Sequence, residues 1–334
     1  MLKGLSVFAS CLIFCGAAAD GLVAARLGVI YNTDDPGSRR VALYYAAQRG
    51  VPLSNVVGIR LPVIDVLAPA LFETVRERVL LELPTTVQSL LLVWSKPYAV
   101  GCMSVTSAFA AGYRAAFCQP GCSRTLLSPL FDVDGWLPAD TVGWYPAMML
   151  PSSDEGLAHR LIRRGITADY SKPPGNLYLV RTPDAKRNVR ATTYSDIALS
   201  MGDRLSVVRM SIPVPMIIPD AIGYFTGTTR VMELPRIQFL PGALADHLTS
   251  TGGVLDGTDQ MPIVEWLEQG ATASYGTGSE PCAMLEKFPN VDVLFQHYLH
   301  GETALEAYWK SVAMPGQGLF IGEPLARPYA APGR

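Results

Sequence analysis

The sequence is short of charge and histidine. Lysine, arginine, aspartate and glutamate together make up 17% of its 334 residues, and there are four histidines. With so few histidines, and no His-Glu or His-x-x-x-His motif, the usual zinc signatures are excluded and no metal is expected. No cofactor is expected. The formal net charge is −2, without a basic stripe, which argues against a nucleic-acid partner. After the first nineteen residues no apolar run approaches membrane length. Met210 to Pro219 is apolar, but Pro213, Pro215 and Pro219 interrupt it.

What is present begins with a leader. Lys3 gives a positive start, Leu5 to Cys15 is uncharged and apolar, and Ala17, Ala18 and Ala19 supply small residues before a cleavage point. Residues 1–19 therefore read as a signal peptide, with Asp20 the first mature residue. A retained membrane anchor, or a lipoprotein cysteine at Cys11 or Cys15, fits less well. The expected location is the periplasm or the exterior, with no membrane span after cleavage. Cys102, Cys118, Cys122 and Cys282 then remain, an even number in an oxidising compartment, and they read as disulfide cysteines. Four cysteines allow three pairings. Cys118–Cys122, across the turn Gln119-Pro120-Gly121, is the favoured one.

Hydropathy is 49% apolar overall, enough for a well-filled core. Leu27–Tyr31, Val56–Leu61 and Val87–Trp94 read as buried strands. The segments 36–49 and 69–83 between them read as helices, the first capped by Asp35, Pro36 and Gly50. Residues 98–150 break the alternation with glycine, proline, serine and three of the four mature cysteines. They read as an excursion, whose Trp136, Trp144 and Tyr145 pack in its core or stack on sugar rings. A helix over 153–164 follows, then a seam at Lys172-Pro173-Pro174-Gly175. Beyond it the alternation restarts. Strands are expected at 177–181, 205–210, 221–225, 243–250, 271–275 and 319–321. Helices are expected at 184–201, 262–268, 291–299 and 302–312. The fold class is α/β, mostly parallel sheet flanked by helices, in two halves, 20–170 and 171–334.

Three C-terminal stretches carry a resemblance: Gly270-Ala271-Thr272-Ala273-Ser274-Tyr275-Gly276, Leu299-His300-Gly301-Glu302-Thr303-Ala304-Leu305-Glu306-Ala307, and Ile321-Gly322-Glu323-Pro324-Leu325-Ala326-Arg327-Pro328. They resemble the end of gingipain-type and CHAT-type peptidase domains of the caspase–hemoglobinase fold. The N-terminal helix ending in Arg49-Gly50 resembles the first gingipain subdomain. The mature chain is also similar to an uncharacterised exported family from bacteria with exosortase and PEP-CTERM sorting. The resemblance implies a His-Gly pair at the end of one strand and a cysteine at the end of the next.

Two registers follow. In the preferred one, Thr226-Gly227 stands at the histidine place, and Thr249 or Ser250 at the cysteine place. The chain then lacks the dyad and binds a peptide, protein or cell-surface glycan at the strand ends. In the other, His247 is the base and Cys282 the nucleophile of an active cysteine peptidase. A serine hydrolase centred on Ser250 and His247 is a third reading, without the hydrolase elbow motif. Asn32, Asp34, Lys96 and Glu280 also follow strands and join Thr226 and Ser250 as candidate binding residues. His159, His297 and His300 read as surface residues.

Overall fold

The computed structural model describes residues 21–118, 121–136, 138–213, 217–280 and 282–332. The expected signal peptide lies outside the described residues. In chain order the strands and helices are β1 (Leu27–Asn32), α1 (Pro36–Arg49), β2 (Val56–Ile59), β3 (Val66–Leu67), α2 (Pro69–Glu82), β4 (Ser89–Val93), β5 (Ala99–Val100), β6 (Met103–Ser104), α3 (Val105–Ala111), α4 (Ala139–Val142), β7 (Ala147–Met149) and α5 (Glu155–Ala168). Then come β8 (Asn176–Arg181), α6 (Tyr194–Met201), β9 (Ser206–Ser211), β10 (Ile218–Gly227), β11 (Ile237–Leu248), α7 (Val264–Gln269), β12 (Ala273–Thr277), α8 (Val291–Leu299), α9 (Ala304–Ser311) and β13 (Gly318–Gly322).

The local reasons for these elements are visible in their ends. Asp35 accepts hydrogen bonds from the backbone of Gly37 and Ser38, and Pro36 opens α1 where a missing N–H costs nothing. Gly50 closes it at φ 67°, a left-handed position that disfavours a side chain. Asp154, Asn290 and Thr303 cap α5, α8 and α9 in the same way, the last as a full capping box with Glu306. β4, β7, β12 and β13 are buried at every position. Such unbroken runs belong to strands covered on both faces.

The principal sheet has ten strands, in the order β2-β1-β4-β7-β13-β12-β11-β10-β8-β9, and β3, β5 and β6 form a small second sheet. The fold is thus α/β, a large, mostly parallel sheet flanked by helices, as expected. The ladders β1–β2, β1–β4, β4–β7, β8–β9, β8–β10, β10–β11 and β11–β12 are all parallel. β13 pairs antiparallel with β12 over five residue pairs. Against β7 it makes one bridge, Ile321 with Met149, of locally parallel geometry. The ends of the strand show its course. Lys96, after β4, meets Asp256, after β11, so both sets of parallel strands end at one edge. Glu323, after β13, lies at the other edge, bound to Arg49 at the end of α1 and to the Thr272 carbonyl before β12. β13 therefore runs against the other nine.

Three expectations need correction. The excursion 98–150 contains β7, a central strand, and α3, which packs on the sheet. Three apolar residues, Ala147–Met149, were too short a run to stand out among the surrounding prolines and glycines. The segment 184–201 is not one helix: a 3-10 stretch, Asn188–Thr193, precedes α6. His297 is buried, between Glu302 and Asp132, rather than at the surface. Trp144 packs edge-on against Phe117 and Trp309, which is the core role weighed for it.

At the edge where α1 and α5 end, Arg49 bridges Asp169 and Glu323, and Tyr45 donates to Glu323 at 2.8 Å. Glu323 is fully buried. Burial opposes the Arg49 charge, but Glu323, Tyr45 and Asp169 together outweigh it and raise the guanidinium pKa above its ordinary value. Arg49→Met strands the carboxylate and is expected to destabilise by about 3 kcal/mol in urea denaturation. Adding Glu323→Gln should return more than half of that loss. A single-variant effect below about 1 kcal/mol contradicts the role given to this pair.

Candidate functional site

The parallel strands end along one edge, where open α/β sheets gather their ligand-binding groups. The ends of β10 and β11 are adjacent there, with Thr226 paired to His247 and Gly227 to Leu248. Thr226 is fully buried, and its hydroxyl donates to the Val180 carbonyl at 3.0 Å. Its own carbonyl accepts from Arg190 at 2.9 Å. Gly227 has a packing reason to be glycine: an added Cβ would lie 1.9 Å from the Arg187 carbonyl oxygen. Beneath them Arg190 pairs with Asp246, both buried. Burial drives the Asp246 carboxyl above its usual range, against the pull of Arg190.

His247 is buried under α7. Trp266 Nε1 donates to its Nδ1 at 3.0 Å, which leaves the proton on Nε2, directed at the Met261 carbonyl at 3.0 Å. Both ring nitrogens are occupied. Burial holds the imidazole pKa down to about 3, so the ring is neutral.

Past β11 the chain enters a cleft of about 230 Å³ lined by Lys186, Arg187, Thr249, Ser250, Glu280 and Cys282, among others. Thr249 Oγ1 donates to Gln260 Oε1 at 2.6 Å and accepts from Arg187 Nε at 3.1 Å. Arg187 is also paired with Asp184 at 2.9 Å. The Ser250 carbonyl accepts from Glu280 N and Thr277 Oγ1, while its half-buried hydroxyl has no hydrogen bond among the described residues. Glu280 is buried, and its Oε2 accepts from the backbone N–H groups of Cys282 and Met284. Its Oε1 lies 3.7 Å from the buried Lys287 ammonium.

The cysteines are paired Cys102–Cys118 and Cys122–Cys282, with Cα separations of 5.6 and 5.4 Å. The favoured Cys118–Cys122 pairing is not the one formed. Cys122 instead reaches across 160 residues to fix the loop after β12. Cys282 therefore carries no free thiol.

The remaining candidates stand apart. Asn32 is buried and latches the end of β1 to Leu61 through both its side-chain atoms. Asp34 pairs with the exposed Arg60. Lys96 bridges Asp65 and Asp256 at 2.6 Å each, beside Tyr98. The structure thus brings together Ser250, Glu280 and Cys282, with Thr226 and His247 beneath, and leaves Asn32, Asp34 and Lys96 elsewhere on the edge. Sequence reasoning missed Lys186, Arg187 and Gln260. The position of 182–187 immediately after the 177–181 strand was the available signal. No group of His, Cys, Asp or Glu suited to a metal occurs among the described residues.

No family model matches the chain, and no curated protein does. A solved structure of a protease is similar to it in fold, with a TM-score of 0.50 and 12% identity, covering 93% of this chain and 80% of that one. At that identity the likeness concerns the fold alone.

The His247 environment has a measurable signature. The folded pKa near 3 lies below the unfolded value near 6.5, so the unfolded chain takes up the proton first. The stabilising contribution is complete above pH 6.5 and is lost progressively as pH falls toward 3. Nitrogen-detected NMR should find His247 neutral and protonated on Nε2 down to about pH 4. A midpoint near 6.5 refutes the assignment.

Proposed function

We propose that this chain is an exported caspase–hemoglobinase-like protein without the standard His/Cys dyad, which binds a peptide segment at the carboxyl edge of its sheet. The observation that carries the reading is the state of every group that could act. At the ends of β10 and β11, Thr226 and Thr249 use their hydroxyls in internal hydrogen bonds. His247 has both nitrogens engaged, and Cys282 is disulfide-bonded. A thiolate nucleophile needs a free sulfur, and a general base needs an open nitrogen. Ser250 keeps an open hydroxyl, but no histidine is among the described residues lining its cleft.

What the cleft retains is binding chemistry. Lys186 offers a cationic donor, Arg187 the guanidinium hydrogens not taken by Asp184 and Thr249, and Ser250 a hydroxyl. An acidic peptide side chain or a carboxyl terminus is the ligand such donors suit. Export is supported by two cysteine pairs. It is also in keeping with the described residues, where no helix is long and apolar enough to cross a membrane. The protease-like fold is in keeping with the family resemblance.

The test uses the exported, non-reduced protein. A peptide array should show salt-sensitive retention of acidic peptides. Lys186→Ala with Arg187→Ala should weaken it by about tenfold, roughly 1.4 kcal/mol. A thiol-reactive peptidyl probe should leave Cys282 unlabelled. Labelling that disappears in His247→Ala establishes the active peptidase instead, and fluorophosphonate labelling of Ser250 establishes a serine hydrolase.

A further inference from the structure

A second depression opens beside the cleft, on the same edge of the sheet. It holds about 190 Å³ and lies between β5 and β6 of the small sheet and the loops that follow β11 and β12. Val66, Tyr98, Met103, Val254 and Leu319 line it, and no charged side chain is among the described residues that do. The charges next to it, Lys96, Asp65 and Asp256, are paired with one another. Val66 is 47% exposed, and Val63 and Ile64 just before it are 55% and 45% exposed. Apolar side chains left uncovered along one short stretch mark a contact surface.

Consecutive residues separate this depression from the cleft: Ser279 lines the one and Glu280 the other. After β11, Ser250 lines the cleft and Gly253 the depression. The two loops are held together by Glu280 N, which donates to the Ser250 carbonyl at 2.9 Å, and Gly253 N, which donates to the Thr277 carbonyl at 2.8 Å. Each opening is braced by one disulfide. Cys102 lines the depression and is bonded to Cys118, while Cys282 lines the cleft and is bonded to Cys122. Cys118 and Cys122 stand four positions apart, so one short segment braces both. Walls fixed before a ligand arrives lose less freedom when it binds.

We infer that the depression is a second subsite for the peptide bound in the cleft, and that it takes an apolar side chain. The inference rests on the peptide-binding reading of the cleft and narrows it. The depression is smaller than the roughly 300–1,000 Å³ of pockets that enclose drug-sized molecules, so a single side chain suits it. In an extended peptide, alternate side chains share a face and lie about 6.6 Å apart. With the acidic residue in the cleft, a residue on the same face reaches the depression across the Ser279–Glu280 boundary. The ligand is therefore an extended segment that carries a carboxylate and, two or four residues away, a side chain of the leucine kind.

The two subsites respond differently to salt. Attraction between the carboxylate and Lys186 or Arg187 is screened as ionic strength rises. Burial of an apolar side chain is not electrostatic and keeps its strength.

The experiment measures binding of the exported, non-reduced protein to Gly/Ser peptides that carry one glutamate and one leucine, the leucine being walked along the peptide. Leucine two or four residues from the glutamate, on one side of it, should tighten binding about tenfold over serine at that place. The gain should be the same in about 0.5 M sodium chloride, where retention by the glutamate is weak. Gly278→Leu fills the depression, since an added Cβ there meets only the Gln317 carbonyl oxygen, at 3.9 Å. It should bring the leucine and serine peptides to equal affinity. Val66→Asp, at an exposed position of β3, should do the same, with circular dichroism confirming that both variants are folded. Glutamate peptides that bind with no leucine gain, with a gain equal at every spacing or confined to odd spacings, or with a gain that survives both variants, overturn this inference and leave the cleft reading intact. Failure of every glutamate peptide to bind overturns both.

Discussion

Everything in this molecule depends on the seating of β13. It is the last strand in the chain, yet it lies inside the sheet, between β7 and β12. Five antiparallel pairs join it to β12, while Phe320 stacks on Trp309 at 4.4 Å. Without it, β7 and β12 would each present an edge of unpaired backbone N–H and C=O groups, a costly state in a buried region. Its reversed course also carries Glu323 to the edge where α1 and α5 end. There the buried carboxylate finds Arg49 and Tyr45. One strand thereby joins the N-terminal and C-terminal elements in one sheet and anchors their helices.

The two edges of the sheet differ in chemistry as a consequence. The edge where the parallel strands end is finished by hydroxyls and amides that bind backbone: Thr226 to Val180, Thr277 to Thr249, Asn32 to Leu61. These groups are consumed in holding loops. The opposite edge gathers buried charge, with Glu323 and Arg49 in one place and Glu302, Glu306 and Lys310 in another. Buried charges of this kind contribute little net stability as intact pairs, but they penalise any arrangement that separates them. They specify how the chain ends come together.

The strand-end cleft shows how a fold and a chemistry separate. The fold is similar to that of a solved protease, and β10 and β11 end side by side. Fold alone does not supply the reaction. His247 faces Trp266 and Met261, and its ring is fully engaged. Cys282 is held by Cys122. Gly227 is accounted for by the close passage of the Arg187 backbone.

Much of the fold was legible from the residues alone. Long apolar runs such as Val87–Trp94 can satisfy their hydrophobicity only as buried strands, and Asp35-Pro36 with Gly50 marks helix ends by backbone geometry that is local. Local signals therefore determined the alternation of strands and helices, the α/β class and the presence of strand-end polar residues. Other features were settled by contacts between distant residues. β7 was invisible because three apolar residues gain strand character only from the neighbours that bury them. The partner of Cys122, the burial of His297 and the tie between Leu22 and Glu306 each join segments far apart in sequence. Spacing along a chain does not encode such distances in space, so only the packed tertiary structure decided them.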